Sequence, residues 1–286
     1  MGLFASLLSA ALSSAKDLVS KRLAARLDGT ASTFASFAYA LPYYALVLAV
    51  LLLLGNEVLT CSAAFLMLVL LRSLTDTLAE GMKMHALAHG DISVVASFFS
   101  ISPLFLLITS PLITGDRLSV PGVVAVVLVV GGSLLLVYRP RAKGWAGQRK
   151  AVLLAAGASL FFSLNSCFDR LAVQRGTPVF AGFAMTLLSA LFLLPWVLRR
   201  RYCLEALRAN RSGLWVRGLL EVTFMVSKLC ALQFLQAPYV VGVMRLSLVL
   251  SILGGRVFFR EPGFARRLAA GLLIVGGVFL IAWLQG

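Results

Sequence analysis

Apolar residues in this chain do not alternate with polar ones. They run in stretches of about 20, separated by short connections rich in Lys and Arg. Backbone groups in hydrocarbon must be hydrogen-bonded within their own segment, so such stretches predict membrane-spanning helices. Ten are expected, at 2–24, 31–54, 62–88, 91–113, 119–138, 151–173, 177–198, 214–235, 237–258 and 264–284. The fold class that follows is an all-α polytopic membrane protein.

Charged residues interrupt two of these spans in matching order. Arg72, Asp76 and Lys83 in span 3 recur as Arg217, Glu221 and Lys228 in span 8, each 145 positions further on. The same offset carries Ala86 and Leu87 onto Ala231 and Leu232, Ser102 onto Ser247, Asp116 onto Glu261, Gly131 and Gly132 onto Gly276 and Gly277, and Tyr138 onto Trp283. A gap-free register over about 65 residues marks a duplication. Equivalent positions lie five spans apart, and an odd number of spans reverses the second copy. The halves, 1–140 and 151–286, are therefore expected to be inverted repeats joined by the polar connection 141–150. A shorter match at offset 148 relates Asp17 and Lys21 of span 1 to Asn165 and Asp169 of span 6. Lining a pathway and capping a helix end both remain open for those residues.

Composition agrees with lipid as the main solvent. Of 286 residues 60% are hydrophobic and 13% charged, with a mean hydropathy of +0.95. A net charge of +15 would suggest nucleic acid in a soluble protein. Here most of the charge lies in the connections, so no nucleic-acid partner is expected. Lys21, Arg22 and Arg26 follow span 1, five basic residues from Arg139 to Lys150 follow span 5, five from Arg199 to Arg211 follow span 7, and Arg256, Arg260, Arg266 and Arg267 flank the last turn. The other face has Arg117, Arg170 and Arg175. The positive-inside rule puts the first group in the cytoplasm and both termini outside, as in a bacterial inner membrane.

The charged stripes carry the candidate chemistry. At about 100° per residue Arg72, Asp76, Glu80 and Lys83 share a sector of roughly 80°, and Arg217, Glu221 and Lys228 one of roughly 40°. Counting Lys16, Asp17 and Arg245 with the stripes gives ten ionisable groups within spans, six basic and four acidic. Each costs up to about 2.5–3.5 kcal/mol if exposed to lipid near mid-membrane, against a folding margin of about 5–15 kcal/mol. They must pair or line a polar cavity.

Pairing alone would make Arg72 with Asp76, Glu80 with Lys83 and Arg217 with Glu221 internal ion pairs that only fix helix packing. A substrate pathway fits the excess of cations better. Lys228 and Arg245 have no acid at i±3 or i±4, and the second half gains charge where Glu80 becomes Met225 and Ser100 becomes Arg245. The substrate-binding candidates are thus Arg72, Lys83, Arg217, Lys228 and Arg245, with Lys228 and Arg245 foremost. Asp76, Glu80, Glu221 and Asp17 are candidates for holding those cations or exchanging protons.

Other features add little. The cysteines Cys61, Cys167, Cys203 and Cys230 form no CxxC and no cluster with histidine, so no metal site, redox pair or other cofactor is indicated. His85 and His89 sit near one end of span 3. The prolines Pro42, Pro103 and Pro195 are expected to bend spans, and the paired glycines to permit close helix contact. No HExxH, phosphate-cradling Gly-rich loop or Ser-His-Asp order supports an enzyme.

Two inverted five-span halves, each ending in an acidic turn and a glycine-bearing span, resemble the EamA-type members of the drug/metabolite transporter superfamily. The stretches that carry the likeness are Gly115-Asp116 before Gly131-Gly132, and Arg260-Glu261 before Gly276-Gly277 and Trp283. The resemblance implies a central cavity between the halves and spans 5 and 10 at the periphery, at a homodimer contact. It implies a secondary transporter working by alternating access on a small polar anionic or zwitterionic metabolite. The alternatives are a flippase for a lipid-linked sugar or lipid phosphate, and a membrane subunit or receptor that keeps the fold without transporting.

Overall fold

The computed structural model describes residues 1–24, 27, 29–55, 59, 61–89, 98–137, 149–200, 205, 207–250 and 264–285. Among these, eleven helices of eight residues or more account for the elements: α1 (Gly2–Ala24), α2 (Gly29–Ala38), α3 (Leu41–Leu53), α4 (Ala63–His89), α5 (Ser102–Ile113), α6 (Val120–Val137), α7 (Arg149–Val173), α8 (Pro178–Leu198), α9 (Arg211–Phe234), α10 (Ala237–Met244) and α11 (Phe264–Gln285). No strand occurs among the described residues. The first residues of span 4, most of the 141–150 connection, the end of span 9, Tyr138, Cys203, Arg256, Arg260 and Glu261 lie outside the description, as do the side chains of Asp17, Lys21, Arg22, Leu87, His89, Arg266 and Arg267.

Gly29–Leu53 taken together, Arg149–Val173 and Pro178–Leu198 are long and apolar enough to cross a membrane, with hydropathies of 1.9, 1.7 and 2.0. Helices α1, α4 and α9 match them in length at 23, 27 and 24 residues but carry the charges. Shorter apolar helices make up α5, α6, Ala237–Leu250 and the apolar part of α11.

Span 2 is two helices rather than one. The chain turns at Tyr39 and Ala40, and Pro42, which has no N–H to lose, sits in the first turn of α3. The break is met by Gly218 on α9, where an added Cβ would come 2.6 Å from the Tyr39 carbonyl carbon. Span 9 also breaks early, with Arg245 at the C-cap of α10. At the ends of α3 and α5, Gly55 and Gly115 adopt φ of 68° and 74°, the left-handed conformation that ends helices cheaply only at glycine.

Helix pairing follows the sequence repeat. The most extensive contacts are α4 with α7, α1 with α9, and α6 with α11. Under the offset, span 3 on span 6 is the counterpart of span 8 on span 1, and span 5 on span 10 is its own counterpart. The last contact is reciprocal in detail. A methyl group on Gly132 would come 2.7 Å from Ala270 O, and one on Gly277 would come 2.8 Å from Ala125 O, and both residue pairs are 145 apart.

The bundle is asymmetric end to end. The apolar cluster of Phe65, Val69, Leu106, Met185, Leu229 and Leu232 fills one end, drawn from the N-terminal part of α4 and the C-terminal part of α9. The opposite parts of those helices carry the charges and leave space between them. Exposed apolar side chains such as Phe279 and Trp283, at 74% and 76%, lie on the outer face of α11 as lipid contact requires.

Candidate functional site

That space is a cavity of about 730 Å³. Lys16, Arg72, Lys83, Arg217, Lys228 and Arg245 line it together with Asp76, Glu80 and Glu221. Eight of the nine candidate residues thus meet at one place, and both charged stripes face inward as their helical sectors require. The ninth, Asp17, has a side chain outside the description. Phe37, Phe99, Phe162 and Phe224 supply apolar wall between the charges.

At the floor, next to the apolar cluster, the ionic groups are tightly bonded to one another. Arg72 Nη1 donates to Asp76 Oδ2 at 2.7 Å, and Arg72 Nε to Asp169 Oδ1 at 3.0 Å. Lys228 Nζ donates to the other oxygen, Asp169 Oδ2, at 2.7 Å. Asn165 Nδ2 donates to Asp76 Oδ1 at 2.9 Å, and Thr75 Oγ1 donates to Asn165 Oδ1 at 2.5 Å. Both carboxylates therefore use both oxygens, and the two cations and two acids cancel. Arg72, Asp76, Asp169 and Lys228 are all buried, where a half-satisfied network would cost more than an apolar one.

This geometry corrects the sequence reading of Lys228. Its acid is Asp169, on a different helix and 59 positions away, so it is not an uncompensated charge. Arg245, the other leading candidate, holds the α10 break against α5: its Nη2 donates to Ser102 Oγ at 2.7 Å and to Phe99 O at 3.2 Å.

Nearer the wider end the pairs are looser. Lys83 Nζ lies 2.5 Å from Glu80 Oε2, an i,i+3 pair on one helix face. Glu221 has Lys16 at 3.3 Å, and Arg217 Nη1 donates to Ser32 Oγ at 2.6 Å and to Ser32 O at 2.8 Å. Each lysine also faces an aromatic ring, Lys16 Nζ at 4.0 Å from the Phe224 centroid and Lys83 Nζ at 5.6 Å from that of Phe162.

Asp169 and Asn165 are the residues that sequence reasoning undervalued. Both stood out only through the weak offset of 148, yet Asp169 is the sole acid in span 6, a signal that an intramembrane charge had to find a partner. Lys16 was counted among the buried charges without being placed in the site. Among the described residues no group of His, Cys, Asp and Glu could hold a metal ion.

Comparison with known proteins agrees with this architecture. No curated protein matches the chain. One solved crystal structure, 19% identical, superposes with a TM-score of 0.74 over 99% of this chain and 97% of its own, a likeness of fold. The profile of the EamA-like transporter family matches residues 1–138 and 149–283. The chain belongs to the EamA-like transporter family, within the drug/metabolite transporter superfamily, and is an integral membrane protein.

Proposed function

We propose that this protein is a secondary transporter that binds a polar anionic or zwitterionic metabolite in the charged cavity and releases it on the other side of the membrane by alternating access. The observation that carries the reading is the convergence of six cations, from both halves of the chain, on one cavity whose described acids number four when Asp169 behind the wall is included. Cations gathered around one cavity, with their donors converging from both halves, suit an anionic group. A fold kept only for assembly has no use for a cavity of about 730 Å³ among its charges.

The end-to-end asymmetry supports the mechanism. Ten spans arranged as inverted repeats, residues 1–140 and 151–286, have two equivalent ends. Packing one end while the other holds a cavity is one of two related states, and exchanging the conformations of the halves gives the other. By the distribution of Lys and Arg, the cavity end is the cytoplasmic one and the termini lie outside. Arg217, Lys16 and Lys83 are the groups placed to meet the ligand. Arg72 and Lys228 form the floor, and Asp76, Glu80 and Glu221 hold the cations.

A thermal-shift screen of the purified protein against amino acids, phosphorylated sugars, nucleotides and lipid phosphates tests this. A ligand at 100 times its dissociation constant stabilises by about 2.7 kcal/mol. The reading requires an anionic or zwitterionic hit whose uptake into proteoliposomes falls in Arg217→Gln. Hits confined to neutral or cationic solutes would overturn it, and a lipid phosphate as the sole hit would turn it into a flippase.

A further inference from the structure

Beyond the apolar cluster, at the end away from the cavity, Arg170 and Asp116 form an ion pair of 2.9 Å with side-chain exposures of 13% and 6%. Each partner also caps a helix. Arg170 Nη1 donates to Leu232 O at 2.9 Å and also to Leu235 O, carbonyls at the C-terminal end of α9 that have no partner within the helix. Asp116 Oδ2 accepts from Ala237 N, the first amide of α10, at 3.3 Å, and from Ser110 Oγ at 2.9 Å. A cation meets the negative end of one helix and an anion the positive end of the next, so each charge stabilises its own helix end as well as the other charge. Gly115, with φ of 74°, turns the chain so that Asp116 can reach this break.

The pair also joins the two halves. Asp116 belongs to the turn between α5 and α6, whereas Arg170, α9 and α10 belong to the second half. No other described ion pair stands at this end; the remaining described pairs, such as Arg72–Asp169 and Lys16–Glu221, all involve residues that line the cavity. The Asp116–Arg170 plug makes its bonds to carbonyls, an amide, a hydroxyl and the opposite charge, and water can replace each of them when the end parts. The floor beneath is held differently, because Arg72, Asp76, Asp169 and Lys228 are bonded chiefly to one another, charge against charge.

We infer that Asp116 and Arg170 are gating residues: they hold this end shut while the cavity is exposed at the other, and must separate for the ligand to leave here. The inference rests on the alternating-access reading above. It assigns a transport role to two residues outside the cavity.

Native Cys167 is a built-in reporter. It is buried within the apolar cluster directly below the plug, with Sγ 3.7 Å from Thr109 Oγ1, and only opening of this end exposes it. With Cys61, Cys203 and Cys230 changed to Ser, a membrane-impermeant maleimide is applied to right-side-out and to inverted vesicles. A separate sample that keeps Cys61, exposed just before α4, marks which face is the Asp116 face.

The expected result is slow labelling of Cys167 from the Asp116 face in the parent, and labelling about tenfold faster from that face alone in Asp116→Asn and Arg170→Lys, since each removes part of a charge-assisted contact. Gly132→Ala, which disturbs packing elsewhere, should label at the parent rate. Should Asp116→Asn not yield a monodisperse protein, Arg170→Lys, which keeps the charge but loses the fork, decides alone. Parent and variant rates that are measurable and equal would overturn the gate and leave the carrier standing. Cys167 unreachable from that face in every protein would overturn both.

Discussion

Lys228 and Asp169 meet at 2.7 Å between α9 and α7, and the second oxygen of the same carboxylate is held by Arg72 of α4 at 3.0 Å. One buried acid thus ties the two halves together through a cation from each. Asp169→Asn leaves two buried cations with Asp76 as their only acid, and breaking a buried pair in this way costs about 3–5 kcal/mol. Combining Asp169→Asn with Lys228→Met restores neutrality, because Arg72 keeps Asp76. The double variant is expected to recover more than half of the loss in unfolding free energy. Equilibrium unfolding in mixed detergent measures this, and a double variant no better than the worse single would refute the pairing.

Gly132 and Gly277 should be intolerant where their neighbours are not. A methyl group at either would sit within 2.8 Å of a carbonyl oxygen on the facing helix, so Gly132→Ala and Gly277→Ala are expected to lower stability by about 1–3 kcal/mol, the cost of overpacking. At Gly131 and Gly276 nothing lies within 4 Å of the added atom. Gly131→Ala and Gly276→Ala should leave the melting temperature unchanged or raise it. The four variants, compared by thermal denaturation, test the reciprocal α6–α11 contact directly. Equal losses at all four positions would mean that the two helices do not meet on this face.

The glycine result shows what kind of information the sequence carries. The doublets at 131–132 and 276–277 announced close packing, but the choice of which glycine makes the contact depends on helix rotation. The charged stripes were legible for a similar reason. Spacing of three or four residues puts Arg72, Asp76, Glu80 and Lys83 on one face whatever the tertiary fold, and brings Arg72 to Asp76 at i,i+4 and Glu80 to Lys83 at i,i+3.

Partners on other helices were not legible. Asp169 lies 97 positions from Arg72 and 59 from Lys228, and Lys16 lies 205 from Glu221. Local spacing says nothing about such pairs, so Lys228 looked uncompensated when it was not. The break in span 2 was signalled by Pro42. The break at Arg245 was signalled less clearly, because no proline stands there and only Gly242, whose carbonyl accepts from Arg245 N at 3.0 Å, marks it.

Asn165 is expected to be more sensitive to charge than to size. Its amide donates to Asp76 Oδ1 at 2.9 Å while its carbonyl accepts from Thr75 Oγ1 at 2.5 Å, an arrangement fixed by the ionised carboxylate having no proton to give. Asn165→Asp keeps the shape but sets a second carboxylate against Asp76. Asn165→Leu loses both hydrogen bonds without adding charge, at a cost of about 1–3 kcal/mol. The isosteric variant should therefore melt at the lower temperature of the two. A reversed order would show that the two hydrogen bonds of Asn165 matter more than the charge set against Asp76.

The wider end of the cavity allows a test of the electrostatic reading in both directions. Lys16 and Glu221 form a partly exposed pair with side-chain exposures of 18% and 13%, and both line the cavity. Because water reaches them, neither substitution should unfold the protein. Glu221→Gln removes one negative charge and leaves Lys16 to face the ligand, so the affinity for an anion should rise. Lys16→Gln removes a positive charge and leaves Glu221 to repel the ligand, so affinity should fall. A change of one charge at such a site corresponds to about 1–1.5 kcal/mol, or roughly fivefold to tenfold in dissociation constant. The measurement is isothermal titration or thermal shift with whichever anion stabilises the parent protein, at two salt concentrations. Screening should compress both effects at the higher salt. If both variants weaken binding equally, the pair shapes the cavity and does not set its field, and the anionic ligand would have to be held by Arg217, Lys83 and Arg245 without help from α1.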